Sequence, residues 1–327
     1  MSENIKNIIF CIDSKYVNLT EFIFKTFKKY HNIKDYVFYF ILYSPDNNNL
    51  HKDIISIINK ISKKFIIKYK YFIPSEEFKN IINQYTITMW HDKKKREKKL
   101  KKVVFFNYAN WSRFYINELF PEIKKGLYLD YDILFCNNID KLFETNIDNH
   151  IVAVSPYNDK NYKCIDKRIK EREENNLKNI PQIEDLKDKV INQNRLLYKN
   201  IKDRQLDKIN IFMKSINIDT EYYKKNYHYN CGVMFFNLEL FKKNNILSKV
   251  IKFLEHMNET EKYFNSGTEK FQNMLIPNYQ VLSVHYNNIL KYRVFNLKTN
   301  KILHFKGNND LNKFPLYKDI FARIIKK

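Results

Sequence analysis

The chain has 327 residues, 44% of them hydrophobic and 16% aromatic, which supports a substantial core and excludes a disordered chain. Its formal net charge of +22 suits polyanionic partners such as phosphorylated substrates, nucleic acid or an anionic membrane surface. Lys, Asn, Ile and Tyr are abundant throughout, so the charge is equally a matter of overall composition. With only four glycines, Gly126, Gly232, Gly267 and Gly307, the chain contains neither Gly-x-Gly-x-x-Gly nor a P-loop. Cys11, Cys136, Cys164 and Cys231 form no Cys-x-x-Cys pair, which argues against a zinc ribbon and for a reducing compartment. Met1-Ser2-Glu3-Asn4 leads directly into an apolar strand, and no apolar run reaches the length of a membrane span. The expectation is a soluble, cytoplasmic protein.

In chain order, 5–13 reads as a buried strand ending in Asp13, with Tyr16 in the loop beyond. Apolar residues at helical spacing (Leu19, Phe22, Ile23, Phe27) predict a helix over 18–30, followed by a strand over 36–43. A helix over 53–61 and a strand over 65–72 continue the alternation, which indicates an α/β sheet with parallel neighbours. In such sheets ligands bind beyond the carboxyl ends of the strands. The basic run over 91–102 reads either as a solvated face or as a patch for phospholipid or nucleic acid. The spacing of Trp111, Tyr115 and Leu119 predicts a helix over 109–120, stopped by Pro121 and carrying Arg113. A short helix over 138–143 and a strand over 151–154 are expected next. The charged stretch 160–225, with Val190, Leu197 and Ile201 at helical intervals, reads as an inserted set of amphipathic helices. Apolar residues return over 229–237, where Gly232 marks either a bulge or a close approach by a ligand. A helix over 246–256 and short strands over 281–284 and 302–305 complete the pattern.

Leu127-Tyr128-Leu129-Asp130-Tyr131-Asp132 is the stretch around which the rest is organised. It is a buried strand running into two carboxylates, whose charge is costly beside an apolar strand unless it is compensated. Asp130 and Asp132 at a strand end can close on one hard cation, Mn²⁺ or Mg²⁺, carrying a phosphate-bearing substrate. A turn is the competing reading of this tripeptide.

These residues resemble glycosyltransferase family 8, the glycogenin-like and lipopolysaccharide galactosyltransferase-like retaining enzymes. Trp111-Ser112-Arg113-Phe114-Tyr115 through Leu119-Phe120-Pro121-Glu122 to Leu127-Tyr128-Leu129-Asp130-Tyr131-Asp132 is similar to the family's Arg helix and its Asp-x-Asp signature. Asp13 and Tyr16 resemble its opening Asp-x-x-Tyr. Asn230-Cys231-Gly232-Val233 with Asn237 resembles its Asn-x-Gly-Val element, and 282–287 its Leu-x-x-x-aromatic-Asn. His304-Phe305-Lys306-Gly307 resembles its C-terminal His-x-x-Gly.

The resemblance implies one GT-A (Rossmann-like) nucleotide-sugar-binding domain over 1–327, with a mixed central sheet, a helical insertion at 160–225 and a metal-ligand segment at 300–327. It implies Mn²⁺ or Mg²⁺ held by Asp130, Asp132 and His304. Asp13, Tyr16, Arg113, Tyr131, Gly307 and Lys313 would contact the donor, and Gln272, Arg113 and Asn230 would serve the reacting sugar. The implied activity is metal-dependent, retaining transfer of glucose or galactose from a UDP-sugar to a glycan, protein or lipid-linked acceptor. The reading leaves open a homodimer and weak association of the basic run with anionic membrane, and expects no specific nucleic acid. Two departures stand out. Where the family has Asp-Gln-Asp, this chain has Phe271-Gln272-Asn273, with Glu269 two residues upstream. Where it has Lys after the motif glycine, this chain has Asp310, with Lys313 three residues on. These leave two alternatives: a degenerate fold that binds UDP-sugar or glycan without transfer, and a polyanion-binding protein built on the basic run.

Overall fold

The computed structural model describes residues 5–44, 48–89, 108–156, 210–222, 226, 228–259, 268–289, 297–305 and 315–326. The basic run 91–102, most of 160–225, and Gly267, Gly307, Asp310 and Lys313 lie outside them.

The first strand, β1 (Lys6–Asp13), ends in a 3₁₀ turn, Ser14–Leu19, and helix α1 (Thr20–Tyr30) follows. Next come β2 (Tyr36–Tyr43), α2 (Leu50–Ile61), β3 (Ile66–Tyr71) and α3 (Glu76–Met89). The sequence reading assigned nothing to α3, yet its start is signalled: Ser75 Oγ accepts from Phe78 N, and Glu76 and Glu77 fill the first turn. The helix expected over 109–120 is broken into α4 (Tyr108–Trp111), a 3₁₀ turn (Ser112–Tyr115) and α5 (Ile116–Leu119). Side chains compete for its backbone carbonyls: Ser112 Oγ donates to Ala109 O at 2.7 Å and Arg113 Nε to Asn110 O at 2.9 Å.

Strands β4 (Lys125–Leu129) and β5 (Ile133–Phe135) flank the Asp-x-Asp bend. The short helix expected over 138–143 is a 3₁₀ turn, Asp140–Leu142. Then follow β6 (Val152–Pro156), β7 (Tyr229–Asn237), α6 (Leu238–Lys243), α7 (Ile246–Glu259) and α8 (Thr268–Leu275). The strand expected over 281–284 shortens to β8 (Gln280–Val281), and the chain turns at Val284–Tyr286 before β9 (Asn288–Ile289). The last elements are β10 (Ile302–His304) and α9 (Pro315–Lys326).

The main sheet has the order β3-β2-β1-β4-β7-β6-β8. Strands β3, β2, β1 and β4 are parallel, as the alternation predicts, but β7 runs antiparallel to both β4 and β6, so the sheet is mixed. A second sheet, β5-β10-β9, stands at the Asp-x-Asp bend. Side chains of β1 alternate between two cores. Ile8, Phe10 and Ile12 join α1, α2 and α9, while Ile9 faces α3, Trp111 and α7. The first of these cores is a lattice of rings, with Phe24, Phe27, Phe38, Phe40 and Phe65 at centroid distances near 5 to 6 Å. Each such buried ring contributes roughly 1.5–3 kcal/mol. Met213, Ile216 and Ile218, from the end of the charged stretch, pack into the other core.

Candidate functional site

Two strand registers bring the site together. Antiparallel pairing of β4 with β7 sets Leu129 against Val233, so Asp130 emerges beside Gly232 and donates its N–H to Gly232 O at 2.8 Å. Antiparallel pairing of β5 with β10 sets Ile133 against His304, and Phe305 N donates to Asp132 O at 2.8 Å. An imidazole from residue 304 is thereby placed on two carboxylates from residues 130 and 132. His304 Nε2 lies 3.1 Å from Asp132 Oδ1 and 3.8 Å from Asp130 Oδ2. One ligand atom from each of the three residues falls within 4.8 Å of the others.

Gly232 admits this arrangement. A Cβ there would come within 2.1 Å of His304 Cε1 and 2.6 Å of Nδ1. The close approach at Gly232 is made by the His304 ring, and the pairing of β7 with β6 is irregular across this glycine, between Met234 and Tyr229.

Asp130 is held from its other side. Its Oδ1 accepts from Tyr128 Oη at 2.7 Å and lies 3.4 Å from Arg113 Nη2. Burial pushes the Tyr128 phenol well above its ordinary value, so it remains a donor. Arg113 is 5% exposed, its guanidinium lies 4.7 Å from the centre of the Tyr128 ring, and Nη1 donates to Cys231 O at 3.2 Å. Burial opposes the Arg113 charge, while Asp130 and the face of the Tyr128 ring favour it.

The donor set fits a divalent ion. Two carboxylate oxygens and an imidazole nitrogen suit Mn²⁺. These ligand atoms lie within 4.8 Å of one another, so Asp130, Asp132 and His304 would hold the ion.

The remaining candidates divide. Asp13 caps the turn that carries Tyr16, accepting from Lys15 N at 2.9 Å. Tyr16 stands at the same end of the sheet: burial first, then Asp132, Asp13 and Asp130, raise its phenol above the ordinary value. Asn230 is buried beside His304, with Oδ1 accepting from Gly232 N at 2.9 Å and Nδ2 donating to Glu269 Oε2 at 2.8 Å. Glu269, two residues before Phe271, thus contacts Asn230. Tyr131 is placed differently. Its ring packs edge-on to Phe10 and its hydroxyl donates to Thr20 Oγ1 at 2.9 Å, so the side chain is committed to the core. Gln272 is fully buried on α8 with Nε2 2.8 Å from Met234 Sδ, while Asn273 bonds to Tyr229 on β7. Asn237 caps α6 through Leu240 N.

Sequence reasoning missed two participants. Tyr128 was read only as a strand residue; its alternation onto the face opposite Leu127 and Leu129 was the available signal. Asn287 bridges Asn230 and His304, and was known only as part of a motif. A cavity of about 320 Å³, lined among others by Asp148, Lys249 and Pro277, lies at the start of β6 and includes none of the cluster residues.

The fold is that of solved GT-A glycosyltransferases. The chain spans 98% of itself and 95% of the galactosyltransferase LgtC, solved with donor and acceptor sugar analogues, at TM-score 0.55 and 12% identity. GlyE of Streptococcus pneumoniae TIGR4 aligns at TM-score 0.55 and 14% identity over 99% of this chain and 61% of its own. The bifunctional glycosyltransferase WbbM aligns at 0.55 and 13% over 99% of this chain and only 50% of its own. At these identities the likeness is one of fold. No curated protein sequence matches the chain. The family model Glycosyl transferase family 8 matches residues 7–310, and the chain belongs to that family.

Proposed function

We propose that the protein transfers a hexose, glucose or galactose, from a UDP-sugar to an acceptor hydroxyl with retention of configuration, with Mn²⁺ or Mg²⁺ held by Asp130, Asp132 and His304. The observation that carries this reading is the convergence of those three side chains on one point at the carboxyl ends of β1 and β4. A bound divalent ion would supply charge neutralisation for the departing diphosphate. The chain's own residues supply the rest. Arg113 steadies Asp130 and offers a planar cation next to it. Tyr16 offers a ring for the uracil, and Asp13 a carboxylate for a base N–H. Gln272 and Asn230 stand on the two elements, α8 and β7, that would line the sugar side. Gly307 and Lys313, outside the described residues, would approach the phosphates. Front-face attack and double displacement both deliver retention. The acceptor would be a glycan, a protein or a lipid-linked sugar, met in the cytoplasm. Among the described residues no helix is long and apolar enough to cross a membrane.

The test is a panel of UDP-sugars incubated with the full chain in Mn²⁺, Mg²⁺ or chelator, with UDP release measured and the protein itself weighed by mass spectrometry. UDP release only with a divalent ion is the expected result. Equal turnover in chelator would overturn the metal reading, and no turnover of any UDP-sugar would overturn the donor reading.

A further inference from the structure

Four buried or half-buried polar side chains form a line from α8 to the metal-ligating imidazole, and their orientations can be deduced one from the next. The backbone N–H of Gly232 can only donate, and it meets Asn230 Oδ1 at 2.9 Å. This fixes the Asn230 amide, with its oxygen toward Gly232 and its nitrogen toward Glu269, 2.8 Å away. An ionised carboxylate only accepts, so the same orientation is demanded from the opposite side. Asn230 Oδ1 also accepts from Asn287 Nδ2 at 3.0 Å, which turns Asn287 Oδ1 toward His304 Nδ1, also at 3.0 Å. An amide oxygen cannot donate. The proton of the neutral ring must therefore sit on Nδ1, and Nε2 presents its lone pair to Asp130 and Asp132.

We propose that Asn287 is a positioning residue that selects Nε2 of His304 as the ligating nitrogen, and that Asn230 and Glu269 hold Asn287 in the required orientation. Metal-ligating histidines are commonly oriented in this way through their second nitrogen. Here the partner is an amide whose own orientation is anchored to a backbone N–H and an acid. Asn230 is 2% and Asn287 1% exposed, so water does not replace a lost bond at low cost. The metal half of the inference rests on the reading of the cluster given above; the tautomer does not.

Two measurements test it on the full chain. Long-range ¹⁵N–¹H spectra of the metal-free protein, with the His304 signals assigned by their loss in His304→Gln, are expected to show a protonated Nδ1. A ring bare at Nδ1 and protonated only on Nε2 overturns the proposal and needs no variant that might unfold. Mn²⁺ affinity without donor, read by calorimetry or spin resonance, is expected to fall about 10–100-fold in Asn287→Leu. It should be largely restored in Asn287→Asp, which still accepts from Nδ1–H. Glu269→Leu should weaken binding less than Asn287→Leu does, and Glu269→Gln, whose Oε1 can still accept from Asn230, less again. Wild-type affinity in a folded Asn287→Leu overturns the proposal. If the wild-type protein binds no Mn²⁺, the metal reading fails while the spectrum still decides the relay.

Discussion

The two ends of the parallel half of the sheet carry the same side-chain types put to opposite uses. At the amino end, Asp140 is paired with Lys6 and Tyr36, the first residues of β1 and β2, and with Asn138 at 2.7 Å. Burial works against its charge, but these three partners hold the Asp140 carboxyl down at about 2. His31, close by, donates from Nδ1 to Phe27 O at 2.8 Å and accepts at Nε2 from Ile139 N at 3.0 Å, so both ring nitrogens are engaged by backbone. At the carboxyl end, Arg113 pairs with Asp130, and His304 turns a ring nitrogen toward Asp130 and Asp132. The amino end is complete without a guest. At the carboxyl end, among the described residues, Asp130, Asp132 and His304 bring their ligand atoms within 4.8 Å of one another, and that convergence marks the site.

Breaking the contrast at the carboxyl end should have the largest effect. Asp132→Ala is expected to lower metal-dependent UDP release by on the order of 10³-fold or more, equivalent to about 4 kcal/mol, while thermal unfolding of the metal-free protein changes little. Gly232→Ala comes next. The added methyl must displace the His304 ring, so Mn²⁺ affinity should fall about 10–100-fold in titrations of a protein whose circular dichroism is unchanged. If it binds as wild type, the close packing has no part in metal binding.

The amino end should answer in stability rather than activity. Burial lowers the His31 pKa from 6.5 to about 4, so the unfolded chain binds a proton in this window that the native chain refuses. His31 therefore supports the fold fully above pH 6.5 and loses that contribution as the pH falls toward 4, amounting to about 3 kcal/mol. Denaturant titrations at pH 7 and pH 4.5 should show a flatter pH dependence for His31→Leu than for wild type, from a lower stability at pH 7. Smallest is Asp140→Asn, which keeps its place between Lys6 and Tyr36 but loses the charge. About 1 kcal/mol of stability should go, with UDP release per folded molecule unaltered. A large loss of activity here would erase the distinction between the two ends.

Much of this was legible in the sequence, and particular residues show why. The limits of β2 follow from an uninterrupted apolar run, because a strand buried on both faces needs one, and β7 is legible from its apolar core Val233–Phe236. The three members of the cluster were identifiable from motifs, since a chemical need for carboxylates and imidazole restricts residue type. The break in the Arg113 helix was not legible, because it comes from Ser112 and Arg113 bonding backward to carbonyls that a continuous helix would use. The core placement of Tyr131 was equally hidden: a tyrosine between two aspartates reads the same whether its ring faces Phe10 or a ligand.

The sequence by itself determined the alternation of strand and helix, the polar ends of the strands and the identity of the candidate ligands, because these depend on short-range pattern and on chemical type. Only the tertiary structure decided that His304 meets Asp130 and Asp132, that Gly232 makes room for its ring, and that Asn287 turns it. Those outcomes depend on the register of strands far apart in the chain, and register is set by packing across the whole sheet.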